Sequence, residues 1–260
     1  MIRSASTLIG LGLVAGALGG LLGIGGGTLI VPGLVFLRGF SQHRAHGTSL
    51  VSALAISIAG LVRYSLDGNV DCGLAVGIAA GGVIGAVFGA RAAGAIKGLA
   101  LRRIFSLFLV VVAVRMIVHA LQTNGAAAGA HAMFGDTGTA YWLVILATGL
   151  VTGFMSGLLG IGGGLVMIPA MVILLAVPQK MAQGVSLAAI IPTALSGIIT
   201  HRRLGNVDFG VGKWIGLGAA LGAYVGAMAA SGLDNNTLML SFAVFILFVA
   251  TVMALRKNAN

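Results

Sequence analysis

The chain has 260 residues, 58% of them hydrophobic and only 8% charged, with a mean hydropathy of +1.10. A soluble domain carries roughly a quarter charged residues, so this composition excludes a water-soluble globular protein and makes lipid the solvent for most of the sequence. Fifteen Lys and Arg stand against five acids, for a formal charge of +10. With no basic stripe or aromatic platform beside it, this excess is a topology signal and argues against a nucleic-acid partner.

In chain order, the first apolar stretch covers residues 6–37; it is long, broken by glycines and carries Pro32 near its end. Stretches at 45–66, 72–96 and 104–121 follow, each long enough to span a bilayer as a helix. Residues 122–138 are polar and rich in Ala and Gly, and read as a linker. The same pattern then repeats, which predicts a first repeat over 1–121, a linker over 122–138 and a second repeat over 139–260 within one membrane domain.

The repeat is explicit. Gly20-Leu21-Leu22-Gly23-Ile24-Gly25-Gly26-Gly27 recurs letter for letter at Gly157-Leu158-Leu159-Gly160-Ile161-Gly162-Gly163-Gly164, an offset of 137. At the same offset Gly12 meets Gly149, Pro32 meets Pro169, Gln42 meets Gln179, Ser49 meets Ser186 and Gly68-Asn69-Val70-Asp71 meets Gly205-Asn206-Val207-Asp208. Because the duplicated unit includes the first apolar stretch, that stretch is expected to belong to the fold and to be retained, not cleaved as a signal peptide.

Charge decides how the first stretch of each half runs. If it crosses once, the basic residues divide almost evenly between the two sides. If it turns back as a re-entrant pair, Arg3, Arg38, Arg44, Arg91, Lys97, Arg102, Arg103, Arg202, Arg203, Lys213, Arg256 and Lys257 share one side, leaving Arg63, Arg115 and Lys180 on the other. The positive-inside rule favours the second arrangement. The expected fold is therefore an all-α polytopic membrane protein of two inverted-topology repeats, each a broken or re-entrant first segment plus about three transmembrane helices, with both termini cytoplasmic.

Two glycine runs are the natural helix breaks, since three glycines in succession make poor helix. Breaks of this kind expose half-helix N-termini, whose unpaired amides and positive dipole end suit an anion. Gly23, Gly25, Gly26, Gly27, Gly160, Gly162, Gly163 and Gly164 are accordingly candidate substrate-binding positions, with Pro32 and Pro169 expected to close each element. Close helix crossing, the role expected of the Gly81, Gly85, Gly89 row, is the alternative for the glycine runs. His46, Thr48 and Ser49 in one half and Gln183 and Ser186 in the other open apolar stretches with imidazole, hydroxyl and amide groups, serving either a site or a helix cap.

Asp71 and Asp208 precede the third stretch of each half and read as N-caps. There is no glutamate, and no carboxylate lies deep in an apolar span, which argues against carboxylate-based cation pumping. The single cysteine, Cys72, faces Phe209 at the repeat offset and has no partner thiol. A catalytic role for it lacks a base, and nothing in the sequence asks for a metal or a cofactor.

Two copies of Gly-x-x-x-Gly-x-x-Gly-Ile-Gly-Gly-Gly followed by proline, at 16–32 and 153–169, each leading into a Gly-x-Ser, resemble the TauE/SafE sulfite-exporter family of bacterial permeases. The resemblance covers nearly the whole chain. It implies a secondary transporter, not an enzyme, in the bacterial inner membrane, exporting sulfite, a sulfonate or another small sulfur anion. It also implies that Gly23 to Gly27, Gly160 to Gly164, Thr48, Ser49 and Ser186 line the pathway; Val185 departs from the Thr48 pattern. An anion channel and a membrane protein handling sulfur through Cys72 are the competing readings, and the glycine-rich faces would also serve a homodimer interface.

Overall fold

The computed structural model describes residues 5–93, 98–122, 138–159 and 163–255, and among these residues the structure is helical throughout. The first half holds α1 (Ala5–Leu22), α2 (Gly27–Arg38), α3 (Gln42–Leu66), α4 (Cys72–Ala93) and α5 (Gly98–Gln122). The second holds α6 (Thr139–Leu159), α7 (Gly164–Leu174), α8 (Gln179–Arg203), α9 (Phe209–Ser231) and α10 (Asn235–Leu255). Seven of them, α1, α3, α4, α5, α8, α9 and α10, are long and apolar enough to cross a membrane. Large side chains such as Val14, Phe36, Phe88, Leu221 and Phe248 point outward, as expected of a surface whose solvent is hydrocarbon.

The halves interlock. On α1, Gly12, Gly16 and Gly20 lie against Ile215, Ala219 and Ala223 of α9; in return Gly218, Gly222 and Gly226 lie against Ile9, Leu13 and Ala17. Residue numbers rise together, so α1 and α9 run parallel. The same contact is made at the other end of the repeat, where Gly81 and Gly85 of α4 meet Leu146 and Leu150 of α6, and Gly149, Gly153 and Gly157 meet Ile78, Gly82 and Ala86. A Cβ placed at most of these glycines would fall 2.0–2.5 Å from a carbonyl oxygen of the facing helix. The approach is therefore of backbone on backbone, which only glycine permits.

α3 also runs parallel to α9, with Val51 against Gly212 and Ala55 against Gly216. α3 and its repeat equivalent α8 instead cross antiparallel: Gly47 sits on His201, Leu50 on Gly197, Gly60 on Leu187 and Tyr64 on Gly184. Since α1 and α3 share a direction, the chain must return between them, and α2 does this, folding back so that Gly26 meets Ala15 and Gly33 meets Leu11.

Both prolines lie inside their helices, in the second turn of α2 and of α7. This corrects the expectation that Pro32 and Pro169 end these elements. A proline that early forfeits a single hydrogen bond, and the surrounding helices hold the turn in place. What ends α2 is Gly39, at φ 64°, whose N–H returns to the Val35 carbonyl at 3.0 Å.

The α1–α9 contact yields a sign test. Gly222→Ala places a methyl against the Leu13 carbonyl and should lower the melting temperature of the detergent-purified protein, by about 1–3 kcal/mol of stability. Gly10→Ala, on the same helix pair but with open space around it, should leave the melting temperature unchanged or raise it by up to about 1 kcal/mol equivalent, the helix-propensity gain.

Candidate functional site

The break between α1 and α2 is a run of left-handed glycines: Gly23, Gly25 and Gly26 have φ of 71°, 70° and 70°. L-residues avoid this region, so the sequence supplies glycine where the chain must reverse. Gly26 caps α2 without a side chain, and the N–H groups of Leu29 and Ile30 both turn to its carbonyl at 3.1 Å. The Gly27 and Thr28 amides are left as the orphan donors of the helix start.

The turn is enclosed by the α3–α8 crossing. Gly23 packs on the Gln183 stem, Gly25 on Ile190 and Ala53, and Gly26 on Ile56. The start of α7 reaches the same place, with Gly164 against Ile24 and the Gly23 carbonyl. Gly163 caps α7 in the right-handed region, unlike Gly26. Gly160 and Gly162 lie outside the described residues.

The polar residues singled out from the sequence divide by what they bond. Ser186 donates to the Gly23 carbonyl at 2.9 Å, tying α8 to the turn. Ser49 donates to the His46 carbonyl one helical turn back, at 2.8 Å. Thr48 accepts the Asp208 N–H at 3.0 Å, and Asp208 in turn caps α9 through Val211 and pairs with Arg44 at 2.8 Å. Asp71 likewise caps α4 through the Leu74 N–H. These hydroxyls and carboxylates hold the frame together.

Gln183 is fully buried; its Oε1 accepts the Tyr64 hydroxyl at 2.8 Å, and the Gly20 and Leu21 carbonyls flank that hydroxyl at 3.2 and 3.4 Å. Its Nε2 has no partner among the described residues. The same is true of the buried hydroxyls of Thr28, Ser52 and Ser57. Ser57 shares a helical stripe with Ala53, Gly60 and Tyr64, the residues that meet the turn and α8. Buried donors without partners are costly and rare, and of these Thr28 and Gln183 lie at or against the glycine turn.

Sequence reasoning passed over Tyr64, Ser52 and Ser57. A signal for Tyr64 was present: at the repeat offset it corresponds to His201, as Gln183 corresponds to His46, and the pairs meet in that crossed fashion. Nothing in the sequence separates Ser52 and Ser57 from ordinary small residues of a membrane helix.

The ends of the α3–α8 crossing are closed by ionic and amide contacts. At one, Arg63 pairs with Asp67, whose other oxygen accepts the Ser231 hydroxyl, while Lys180 reaches the Ser231 carbonyl at 2.9 Å. The Ser231 hydroxyl first, and then Arg63, hold the Asp67 carboxyl below the usual carboxylate range. At the other end lie the Arg44–Asp208 pair and the imidazoles of His46 and His201. Among the described residues no group of three or more His, Cys, Asp or Glu could hold a metal ion.

This is the architecture of a polytopic membrane protein, with apolar outer faces and a buried polar turn between two halves. The family model described as "Sulfite exporter TauE/SafE" matches residues 2–116 and 145–260, and the chain belongs to that family. It is 28% identical over 257 residues to the "Probable membrane transporter protein YunE" of Bacillus subtilis, covering 93% of this chain and 94% of that one. It is 30% identical to a "Probable membrane transporter protein" of Xylella fastidiosa, over 100% of this chain and 98% of the relative. To "Probable membrane transporter protein MJ0441" of Methanocaldococcus jannaschii it is 32% identical over 75% of this chain and 71% of the relative. No solved structure matches the chain.

The hydrogen-bond pattern separates frame from site by stability. Tyr64→Phe leaves the Gln183 Oε1 buried and unbonded and should lower the melting temperature by an equivalent of about 1–3 kcal/mol. Ser57→Ala removes a hydroxyl with no partner and should leave it unchanged or raised.

Proposed function

We propose that the chain is a secondary transporter that exports a small sulfur-containing anion, sulfite or a short sulfonate, by alternating access across the bacterial inner membrane. The observation that carries this reading is the left-handed Gly23–Gly26 turn at the start of α2, met by the start of α7, with partnerless buried groups on Thr28 and Gln183 against it and on Ser52 and Ser57 along α3. Each of these partnerless groups can donate a hydrogen bond. None carries negative charge: the described aspartates sit at helix ends, not in the turn. An oxyanion with three oxygens needs this kind of surrounding, supplied by orphan amides, hydroxyls and a helix dipole.

The two halves act as inverted repeats, a reading supported by the antiparallel crossing of the equivalent helices α3 and α8. Under it the Arg44 and Arg202 end is cytoplasmic, with both termini on that side. The anion sits between the two closures of the α3–α8 crossing, and its passage requires them to open in turn. Gly23, Gly25, Gly26, Gly27, Gly163, Gly164 and Gln183 line the site. Ser49, Thr48 and Ser186 support it through the backbone bonds described above.

The test is saturable, substrate-selective flux in proteoliposomes, with thermal stabilisation by sulfite, sulfate, thiosulfate and short sulfonates measured alongside. The expected result is selective stabilisation and saturable transport by one sulfur anion, with Ser52→Ala and Ser57→Ala each weakening binding by roughly tenfold, about 1.4 kcal/mol, while the proteins stay folded. Non-saturating flux would make the chain a channel. Unchanged binding in both variants would return the turn to a packing role.

A further inference from the structure

The two ends of the α3–α8 crossing are related by the repeat, yet they are locked by different chemistry. Tyr64 of α3 meets Gln183 of α8 through a hydrogen bond at one end. The equivalent contact at the other end joins His201 of α8 and His46 of α3, edge to face, with ring centroids 5.3 Å apart. The backbones around them match: Gly184 packs on the Asn69 carbonyl and Tyr64, and Gly47 packs on the Asn206 carbonyl and His201. The same joint is therefore built twice, once from groups that keep their charge state near neutrality and once from two imidazoles.

We propose that His46 and His201 form a proton-binding site whose occupation releases α3 from α8 at that end of the crossing. The His201 Nδ1 is buried and has no partner among the described residues, so it is free to take or carry a proton. Neutral rings pack edge to face, whereas two imidazolium ions at this separation repel. The charged groups around the pair offer little compensation. His43 on α3 interacts electrostatically with both rings. Arg44 is already paired with Asp208, the one described carboxylate at this end, and Asp208 is further engaged by the Val211 N–H. Arg202 of α8 lies over Phe209, Lys213 of α9 lies over Trp214, and Arg203 and Arg38 end α8 and α2. Added positive charge thus meets a mostly positive neighbourhood, and opening the joint to water relieves it. The Tyr64–Gln183 end lacks this response, so protons act on one closure and not on the other. The site does not depend on which anion is carried.

The experiment is a distance measurement on the full chain in lipid nanodiscs, independent of any transported substrate. Spin labels are placed through Gln42→Cys at the start of α3 and Leu204→Cys after α8, both exposed, in a Cys72→Ser background. Lowering the pH from about 8 to about 4, through and below the ordinary imidazole range, should lengthen the distance distribution. His46→Gln combined with His201→Tyr, which copies the opposite joint, should abolish the change, and His43→Gln should preserve it. An unchanged distribution in the protein with its native histidines overturns the proposal without recourse to any variant. So does an equal shift in the double variant, or loss of the shift in His43→Gln alone.

Discussion

Carbonyl oxygens of one helix resting against glycines of another, repeated along α1–α9 and α4–α6, set the spacing on which the rest of the structure depends. In lipid there is no hydrophobic force between helices, and their association rests on packing that a larger residue forbids. Because these contacts join the first half to the second, neither half closes its own interior. The antiparallel pair α3 and α8 is then clamped between the two parallel pairs, and the glycine turn of α1–α2 has one place to go, the crossing itself. The position of the polar turn thus follows from the small residues far along the helices.

Within that clamp, polarity is apportioned with little redundancy. Hydroxyls and carboxylates that finish helix starts or tie one backbone to another, such as Ser186 on Gly23 or Asp208 on α9, are fully committed. Of those left without partners among the described residues, Thr28 and Gln183 lie at or against the turn, while Gln179, His201 and Asn236 lie near helix ends. In hydrocarbon an unmet donor is costly, since water is absent there.

Much of the helical plan was legible in the sequence, because apolar length and the repeat offset carry it: the stretches at 45–66 and 72–96 correspond closely to α3 and α4. The first glycine run was legible as a break because three glycines have few helical uses. The prolines misled, since proline reads locally as a stop whereas in α2 and α7 the neighbouring helices sustain the turn that follows it. The hydroxyls of Thr48, Ser49 and Ser186 are site candidates by type; the backbone partners of Thr48 and Ser186 come from tertiary contact that the sequence does not display, whereas Ser49 bonds locally to the His46 carbonyl. The repeat offset pairs Tyr64 with His201 and Gln183 with His46, but that Tyr64 meets Gln183 and His46 meets His201 follows only from the antiparallel crossing of α3 and α8.

The interlocking of halves also has a consequence for how the chain comes to be made. α1 ends at Leu22 and α9 begins at Phe209. At synthesis rates of about 5–20 residues per second, α1 waits roughly 10 to 40 s in the bilayer before its partner emerges. During that interval its glycine face is bordered by acyl chains, which fill the groove poorly and give way when α9 arrives. The nascent protein is therefore a loose set of inserted helices until late in translation, and its final compaction depends on the last fifth of the polypeptide being delivered to the same patch of membrane.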